Sequence, residues 1–191
     1  MDIKKVLERY EPMNEQEMMD KKLMIDFIEH HDNYLDRSNL YGHFTASSFV
    51  VNKALTKIVF GYHHIYQSWS WIGGHADGND DLLAVALKET SEETGLHHLK
   101  LLSPDIFSID VIYVHNHQKY GQYVPDHLHL NVAYVIIADE DEPLEHNHLE
   151  HAGVRWFDLD EVMSYISENR MKAIYEKAFN KLKMIQEQRK V

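Results

Sequence analysis

The sequence predicts an α/β protein, in the broad sense that includes α+β folds, with a mixed β-sheet and an N-terminal helical extension. Apolar residues recur at helical spacing in some segments and alternate at strand spacing in others. These segments follow the order α–β–β–α–β–β–β–α–α, which favours helices on both faces of one sheet. The length of 191 residues fits one domain, which we place at 43–191 after an extension over 1–42.

The extension is expected to be helical. Residues 15–31 have apolar side chains at helical spacing, and residues 1–10 are expected to form a second, shorter helix. Pro12 separates the two, because proline interrupts a helix. We expect the extension to pack on the domain or to support a homodimer. The apolar positions of the longer helix are Leu23, Met24, Phe27 and Ile28.

The domain is expected to open with a β-hairpin. Strand-forming residues over 48–52 and 57–62 are separated by a short turn, which is typical of two antiparallel neighbours. A glycine-rich loop over 73–78 and a helix over about 80–94 follow.

The rest of the chain returns to strands and then to helices. Alternating apolar residues predict strands over 106–115, 128–138 and 154–157. Asp158 or Asp160 is expected to cap a helix through Ile166, and a long helix is expected over 169–188.

Composition and charge exclude several classes of protein. The chain has no cysteine, which excludes disulfides and thiolate zinc sites, and its default location is the cytoplasm. The formal charge of −12 disfavours a nucleic-acid partner. We find no apolar run near the ~20 residues of a membrane span, so no membrane partner is expected. These exclusions leave a small-molecule partner open.

The helix over 80–94 carries the strongest chemical signal. Asn79 or Asp80 can cap its start, and Gly95 can end it in a left-handed conformation. One stripe of this helix begins apolar and turns acidic. Carboxylates three or four positions apart repel by only ~0.2–0.5 kcal/mol per pair, so an ordinary solvated face is one interpretation. Mg²⁺ and Mn²⁺ prefer such oxygen ligands, which is the other. The stripe contains Leu82, Val85, Ala86, Glu89, Glu92, Glu93 and Leu96.

The residues around this stripe favour the metal site. They resemble the Nudix box, G-x5-E-x7-R-E-U-x-E-E-x-G-U with U aliphatic, over residues 74–96. Asp80 and Lys88 keep the charge of the box residues that they replace, whereas Thr90 departs from an aliphatic position. The resemblance implies a Nudix-like α/β/α sandwich. The matching residues, in register, are Gly74, Asp80, Lys88, Glu89, Thr90, Glu92, Glu93, Gly95 and Leu96.

The resemblance also implies roles for these residues. Nudix enzymes hydrolyse nucleoside diphosphate derivatives with Mg²⁺ or Mn²⁺. By position, Glu89, Glu92 and Glu93 would be catalytic metal ligands, one of them a base toward water. Gly73, just before the box, would add its carbonyl as a ligand. Many relatives add an acidic loop ligand, for which we choose Glu150 from the acidic loop over 139–153. The supporting residues would be Gly74, Asp80, Lys88 and Gly95.

The chain has 15 histidines, and they leave two interpretations open. His127 and His129 point to one face of a strand, and His75 lies inside the box. We favour a substrate pocket or structural hydrogen bonds for them, with Tyr113 as a further substrate residue that loosely fits dinucleoside polyphosphate relatives. A dedicated histidine metal centre is the alternative, since neutral imidazole suits zinc.

The predicted function is therefore metal-dependent hydrolysis of the diphosphate linkage in a nucleoside diphosphate derivative. A non-catalytic Nudix-like module that binds a nucleotide metabolite is the alternative. Isopentenyl-diphosphate isomerase shares the fold but uses a catalytic cysteine, which this chain lacks.

Overall fold

The computed structural model describes residues 2–119, 121–148 and 151–189. Within them the element order is mixed α/β, as the sequence pattern predicts. The helices are α1 (Ile3–Arg9), α2 (Glu15–His30), α3 (Leu82–Thr94), a 3₁₀ helix (Val162–Tyr165) and α4 (Asn169–Gln188). The strands are β1 (Gly42–Val51), β2 (Lys57–His63), β3 (Ser68–Ser70), β4 (Ile72–His75), β5 (Lys100–Leu101), β6 (Ser108–Val114), β7 (His117–Lys119), β8 (Gln122–Val124), β9 (His127–Ile137) and β10 (His151–Asp158).

The described strands form an eight-stranded mixed sheet and a separate two-stranded one. The path through the large sheet is β10-β2-β1-β9-β5, while β3 pairs with β2, β4 with β1 and β6 with β9. The predicted hairpin of β1 and β2 is confirmed as an antiparallel pair, with Val50 opposite Val59. Strand β6 pairs antiparallel with β9, and the small sheet is the hairpin of β7 and β8.

The chain divides into two compact units, and some elements, such as β1 and α3, have residues in both. The first unit comprises Met1–Ser47, Gly74–Ala86 and Ser103–Tyr134. The second comprises Ser48–Gly73, Leu87–Leu102 and Val135–Val191.

In the first unit, the two N-terminal helices pack on strand residues. Leu7 of α1 and Met24 of α2 are fully buried in one apolar cluster with Phe44, Ile109 and Leu130. The extension therefore packs against β1, β6 and β9, which is one of the two roles expected for it.

In the second unit, the C-terminal helix α4 covers aromatic strand residues. Tyr175 and Phe179 are buried, and the Tyr175 ring lies 5.1 Å from the Phe60 ring between centroids. Phe49 meets the edges of both helix rings. Large rings packed edge to face give this unit a rigid core.

Some local predictions are wrong. Leu23 is 39% exposed, so the buried stripe of α2 runs through Met24 and Phe27 instead. The segment after β10 forms only a 3₁₀ helix, which begins after Glu161 and has no side-chain cap from Asp158 or Asp160. The sequence pattern also does not predict the short strands β3, β4, β5, β7 and β8.

No described helix combines the length and the apolar character that a membrane span requires.

Candidate active site

The start of α3 is fixed by Asp81. Its carboxylate accepts a hydrogen bond from the Ala84 amide at 3.0 Å, which is the position of an N-cap. Asn79 accepts a hydrogen bond from the Asp81 amide at 3.0 Å and so supports the cap. The cap is therefore one residue beyond the predicted Asp80 and two beyond Asn79, because the side chain of Asp81 is the one that accepts from this first-turn amide.

The first half of α3 is apolar and buried, as the stripe predicts. Leu82, Val85 and Ala86 are at most 4% exposed and belong to the core of the first unit. The predicted supporting residues Gly74 and Asp80 precede them, Gly74 in β4 and Asp80 directly before the cap.

Glu93, in the second half of α3, is a buried carboxylate. The residue is 3% exposed, and its Oε2 accepts a hydrogen bond from the Gly73 amide at 3.2 Å. A charged carboxylate is costly to bury unless hydrogen bonds or a cation stabilise it. The structure thus brings together two predicted ligand residues that are 20 positions apart.

Lys88 bridges the other two glutamates. Its Nζ lies 2.9 Å from Glu92 Oε2 and 3.2 Å from Glu89 Oε1. The hydrogen bonds to Glu92 and then Glu89 raise the pKa of Lys88, so it remains a cation. The side chain of Glu89 is 16% exposed and that of Glu92 is 55% exposed. The three glutamates therefore occupy different environments. Glu93 is buried and accepts from a backbone amide, whereas Glu89 and Glu92 both pair with the Lys88 ammonium.

Thr90, which departs from the aliphatic position of the box, has a polar neighbour. It is fully buried, and its Oγ1 donates a hydrogen bond to Ser48 Oγ at 2.9 Å. The hydroxyl group is accommodated because β1 supplies another hydroxyl opposite it. The departure therefore leaves the packing of α3 in the second unit intact.

Gly95 ends α3 in the left-handed conformation that the sequence predicts, with φ of 73°. A Cβ at this position would lie 2.8 Å from the Glu145 Cβ. The amide of Glu145 donates a hydrogen bond of 2.8 Å to the Thr94 carbonyl, at the end of the helix. Both the backbone and the neighbouring loop therefore require glycine here.

The acidic loop after β9 has structural contacts in its first part. Asn52 donates a hydrogen bond to Glu140, and the Lys57 ammonium pairs with the same carboxylate. The His97 amide donates to Glu142 at 2.8 Å and holds the pKa of that carboxyl below its usual range. Glu150, the predicted loop ligand, lies outside the described residues.

Three predicted substrate residues lie close together in the first unit. The rings of His75 and His129 are 4.9 Å apart between centroids, and those of His127 and His129 are 5.0 Å apart. His43 joins them, with its ring about equally far from all three. Tyr113 is 45% exposed and packs edge-on against His115 instead.

The rings of His43 and His129 are neutral at pH 7. Burial and then the neighbouring His127 lower the pKa of His43 to about 4. Burial and then the adjacent His75 also hold the pKa of His129 well below its usual range. Neutral imidazoles retain a lone pair, which can accept a hydrogen bond or bind a metal ion.

Sequence patterns do not single out His43, Ser48 or Tyr175. The Tyr175 hydroxyl accepts a hydrogen bond from the Trp71 amide at 3.3 Å, two residues before Gly73. Each of these residues acts on a partner in a distant part of the chain, so no local spacing marks it. An excess of histidines was the one signal available for His43.

Comparison with known proteins agrees with this geometry. A family model described as the NUDIX domain matches residues 44–180. The asymmetrical bis(5'-nucleosyl)-tetraphosphatase of Rattus norvegicus is 30% identical over 114 residues, which cover 59% of this chain and 68% of the rat protein. An Ap4A hydrolase binary complex from C. elegans has a TM-score of 0.54 at 15% identity, covering 74% of this chain and 96% of that one. A Nudix family hydrolase from Clostridium perfringens has a TM-score of 0.50 at 19% identity, covering 75% and 97%.

The fold and the glutamate-bearing helix together define a hydrolase of the Nudix type. Since the family model spans more than half of the chain, the protein belongs to the Nudix family. It is a pyrophosphohydrolase, and the two solved structures support its fold alone.

Proposed function

We propose that the protein is a metal-dependent hydrolase that cleaves the diphosphate linkage of a nucleoside diphosphate derivative. One observation carries the proposal: Glu93 is buried on the Gly73 amide, while Glu89 and Glu92 lie on the same helix under one lysine. An ordinary solvated face would leave all of these carboxylates exposed. A cluster that is partly buried and partly neutralised is typical of a cation site.

The residues present fit Mg²⁺ or Mn²⁺. Three carboxylates are hard oxygen donors, and Nudix enzymes generally use divalent ions. Glu89, Glu92, Glu93 and the Gly73 carbonyl would hold the ion, and Glu150 remains the proposed loop ligand. When bound, the ion neutralises charge on the diphosphate and lowers the pKa of the attacking water.

The chain's own residues then orient the reaction. The Gly73 amide fixes the Glu93 carboxylate, so this ligand needs no rearrangement before substrate binds. One of the glutamates takes a proton from water as the water oxygen attacks phosphorus. The bridging P–O bond breaks, and the leaving phosphate carries away its electron pair. We propose the exposed Glu92 as this base, because solvent can remove its proton afterwards.

We propose dinucleoside polyphosphates as the substrate class to test first. The rat relative is by name a bis(5'-nucleosyl)-tetraphosphatase. Tyr113 is exposed in β6, where a substrate base can reach it, and it remains a proposed substrate contact together with His127. A cytoplasmic location and a homodimer stay predictions.

A substrate screen with the wild-type protein tests this function. The panel covers dinucleoside polyphosphates, nucleotide sugars, ADP-ribose and nucleoside triphosphates, each with Mg²⁺ and with Mn²⁺. We expect metal-dependent release of a mononucleotide from at least one of them, with dinucleoside polyphosphates favoured. Binding without turnover across the whole panel would support the non-catalytic module instead.

A further inference from the structure

Three histidines from three different strands converge in the first unit. They are His43 of β1, His75 of β4 and His129 of β9, and we call them the histidine cluster. Each offers one ring nitrogen, and these nitrogens all lie within 4.8 Å of one another. Nitrogens this close can bind a single ion after small side-chain rotations.

His43 is the residue of the cluster that folding alone does not explain. It is 4% exposed, and neither of its ring nitrogens has a hydrogen-bond partner among the described residues. A buried polar group without a partner lowers stability, because its hydration is lost and nothing replaces it. If this imidazole only filled space, replacing it with leucine would raise the stability of the fold. A ligand that binds the ring removes this cost.

We propose that the histidine cluster is a binding site for a divalent late transition-metal ion, with Zn²⁺ the best match. The site shares no ligand residue with the glutamates of α3, and the proposal goes beyond the hydrolase activity. It assigns His75 and His129 to a metal centre rather than to the substrate pocket.

The donor atoms decide the class of metal. The cluster offers three imidazole nitrogens and no carboxylate, which suits Zn²⁺ and its neighbours rather than Mg²⁺. The glutamates of α3 offer oxygens, which Mg²⁺ and Mn²⁺ prefer. Three neutral histidines leave one position of a tetrahedral ion open for water. One chain would thus carry two sites that select different metals by ligand chemistry.

His127 is placed to orient a ligand of the cluster. Its Nδ1 lies 2.8 Å from the Pro125 carbonyl, which can only accept, so Nδ1 carries the proton. The other nitrogen of this ring, Nε2, lies 3.2 Å from Nε2 of His129. If His129 donates in this contact, its Nδ1 is the lone-pair nitrogen that remains for an ion. Metal-binding histidines are commonly oriented in this way, through the nitrogen that does not bind the ion.

Metal titration of the chelator-stripped full-length protein tests the site. We would use the Glu93→Gln variant as background, so that loss of the carboxylate site cannot be mistaken for loss of the histidine site. One equivalent of Zn²⁺ should bind, and Co²⁺ should give the visible absorption of a site with nitrogen ligands. At a hundredfold excess of free Zn²⁺ over Kd, Tm should rise by about 5–10 °C.

Two variants and one control decide the outcome. His43→Leu should abolish the Zn²⁺-dependent rise in Tm while leaving the metal-free Tm unchanged or higher. His75→Asn, at a half-buried position, should also abolish the rise and serves if His43→Leu does not fold. The control is His146→Ala with His148→Ala, which removes another close pair of rings, 4.1 Å apart, and should keep the rise.

The proposal is overturned if Zn²⁺ stoichiometry and the rise in Tm survive in both His43→Leu and His75→Asn. It is also overturned if the control variant loses the metal. Because every readout is metal binding or Tm, failure here leaves the hydrolase proposal untouched, and an inactive protein that binds Zn²⁺ would support this site alone.

Discussion

The amide of Gly73 donates a hydrogen bond of 3.2 Å to the carboxylate of Glu93. This bond joins the first residue of the glycine-rich segment over 73–78 to the last turn of α3. It ties one carboxylate to the backbone, whereas Glu89 and Glu92 both pair with Lys88. The three glutamates of the candidate site are therefore held by different contacts.

In the proposed metal site, Lys88 would compete with a divalent cation for two of these carboxylates. Lys88→Met should lower the Mg²⁺ concentration for half-maximal activity by up to about fivefold, since an exposed ion pair contributes ~0.2–1 kcal/mol. Activity measured across a Mg²⁺ titration checks this. Lys53→Met, at an exposed site outside α3, is the control and should change nothing. A higher Mg²⁺ requirement in Lys88→Met would instead assign Lys88 to holding the glutamates in place.

The hydrogen bond between Thr90 and Ser48 compensates for a polar residue at a position where the Nudix box has an aliphatic one. Thr90→Val and Ser48→Ala should each lower the free energy of unfolding by about 1–2 kcal/mol, because each removes the buried hydrogen bond between the two hydroxyls. The double variant should lose less than the sum of the two. Urea unfolding of all four proteins gives this coupling. Strictly additive losses would show that the hydrogen bond does not matter.

The end of α3 has no room for a side chain at Gly95, and Gly78 serves as the comparison because it has a similar φ but open space around it. Gly78 has φ of 84° and would place a Cβ in open space, whereas a Cβ on Gly95 would meet Glu145. Gly78→Ala should therefore cost only the left-handed strain, about 1–2 kcal/mol. Gly95→Ala should cost at least about 1 kcal/mol more, as overpacking does. Equal losses of unfolding free energy would contradict the close contact with Glu145.

Local patterns predict the elements that carry the chemistry. The stripe from Leu82 to Leu96 predicts α3, and the turn-separated runs predict the pairing of β1 with β2. Both signals depend on residues within a few positions of one another. The helix start is displaced to Asp81 because adjacent polar residues all have capping side chains, and only the folded backbone selects among them.

Contacts between residues that are distant in the sequence are not predicted by local sequence patterns. Nothing near Thr90 in the sequence indicates that Ser48 offers it a hydroxyl. His43 is similarly inconspicuous, since its neighbours in the cluster come from other strands. Short strands such as β3 and β7 have three residues each, too few for an alternation to register. These features depend on sheet pairing, which is a property of the whole fold.

The most direct test of the proposed activity is the turnover number of Glu93→Gln at saturating substrate and Mg²⁺. Glutamine keeps an oxygen to accept from the Gly73 amide, so the fold should be retained, and only the negative charge is lost. We predict a loss of kcat of at least about a hundredfold. Glu176→Gln, an exposed position on α4, should keep full activity. A folded Glu93→Gln protein with wild-type kcat would contradict the assignment of the α3 glutamates as the catalytic metal site.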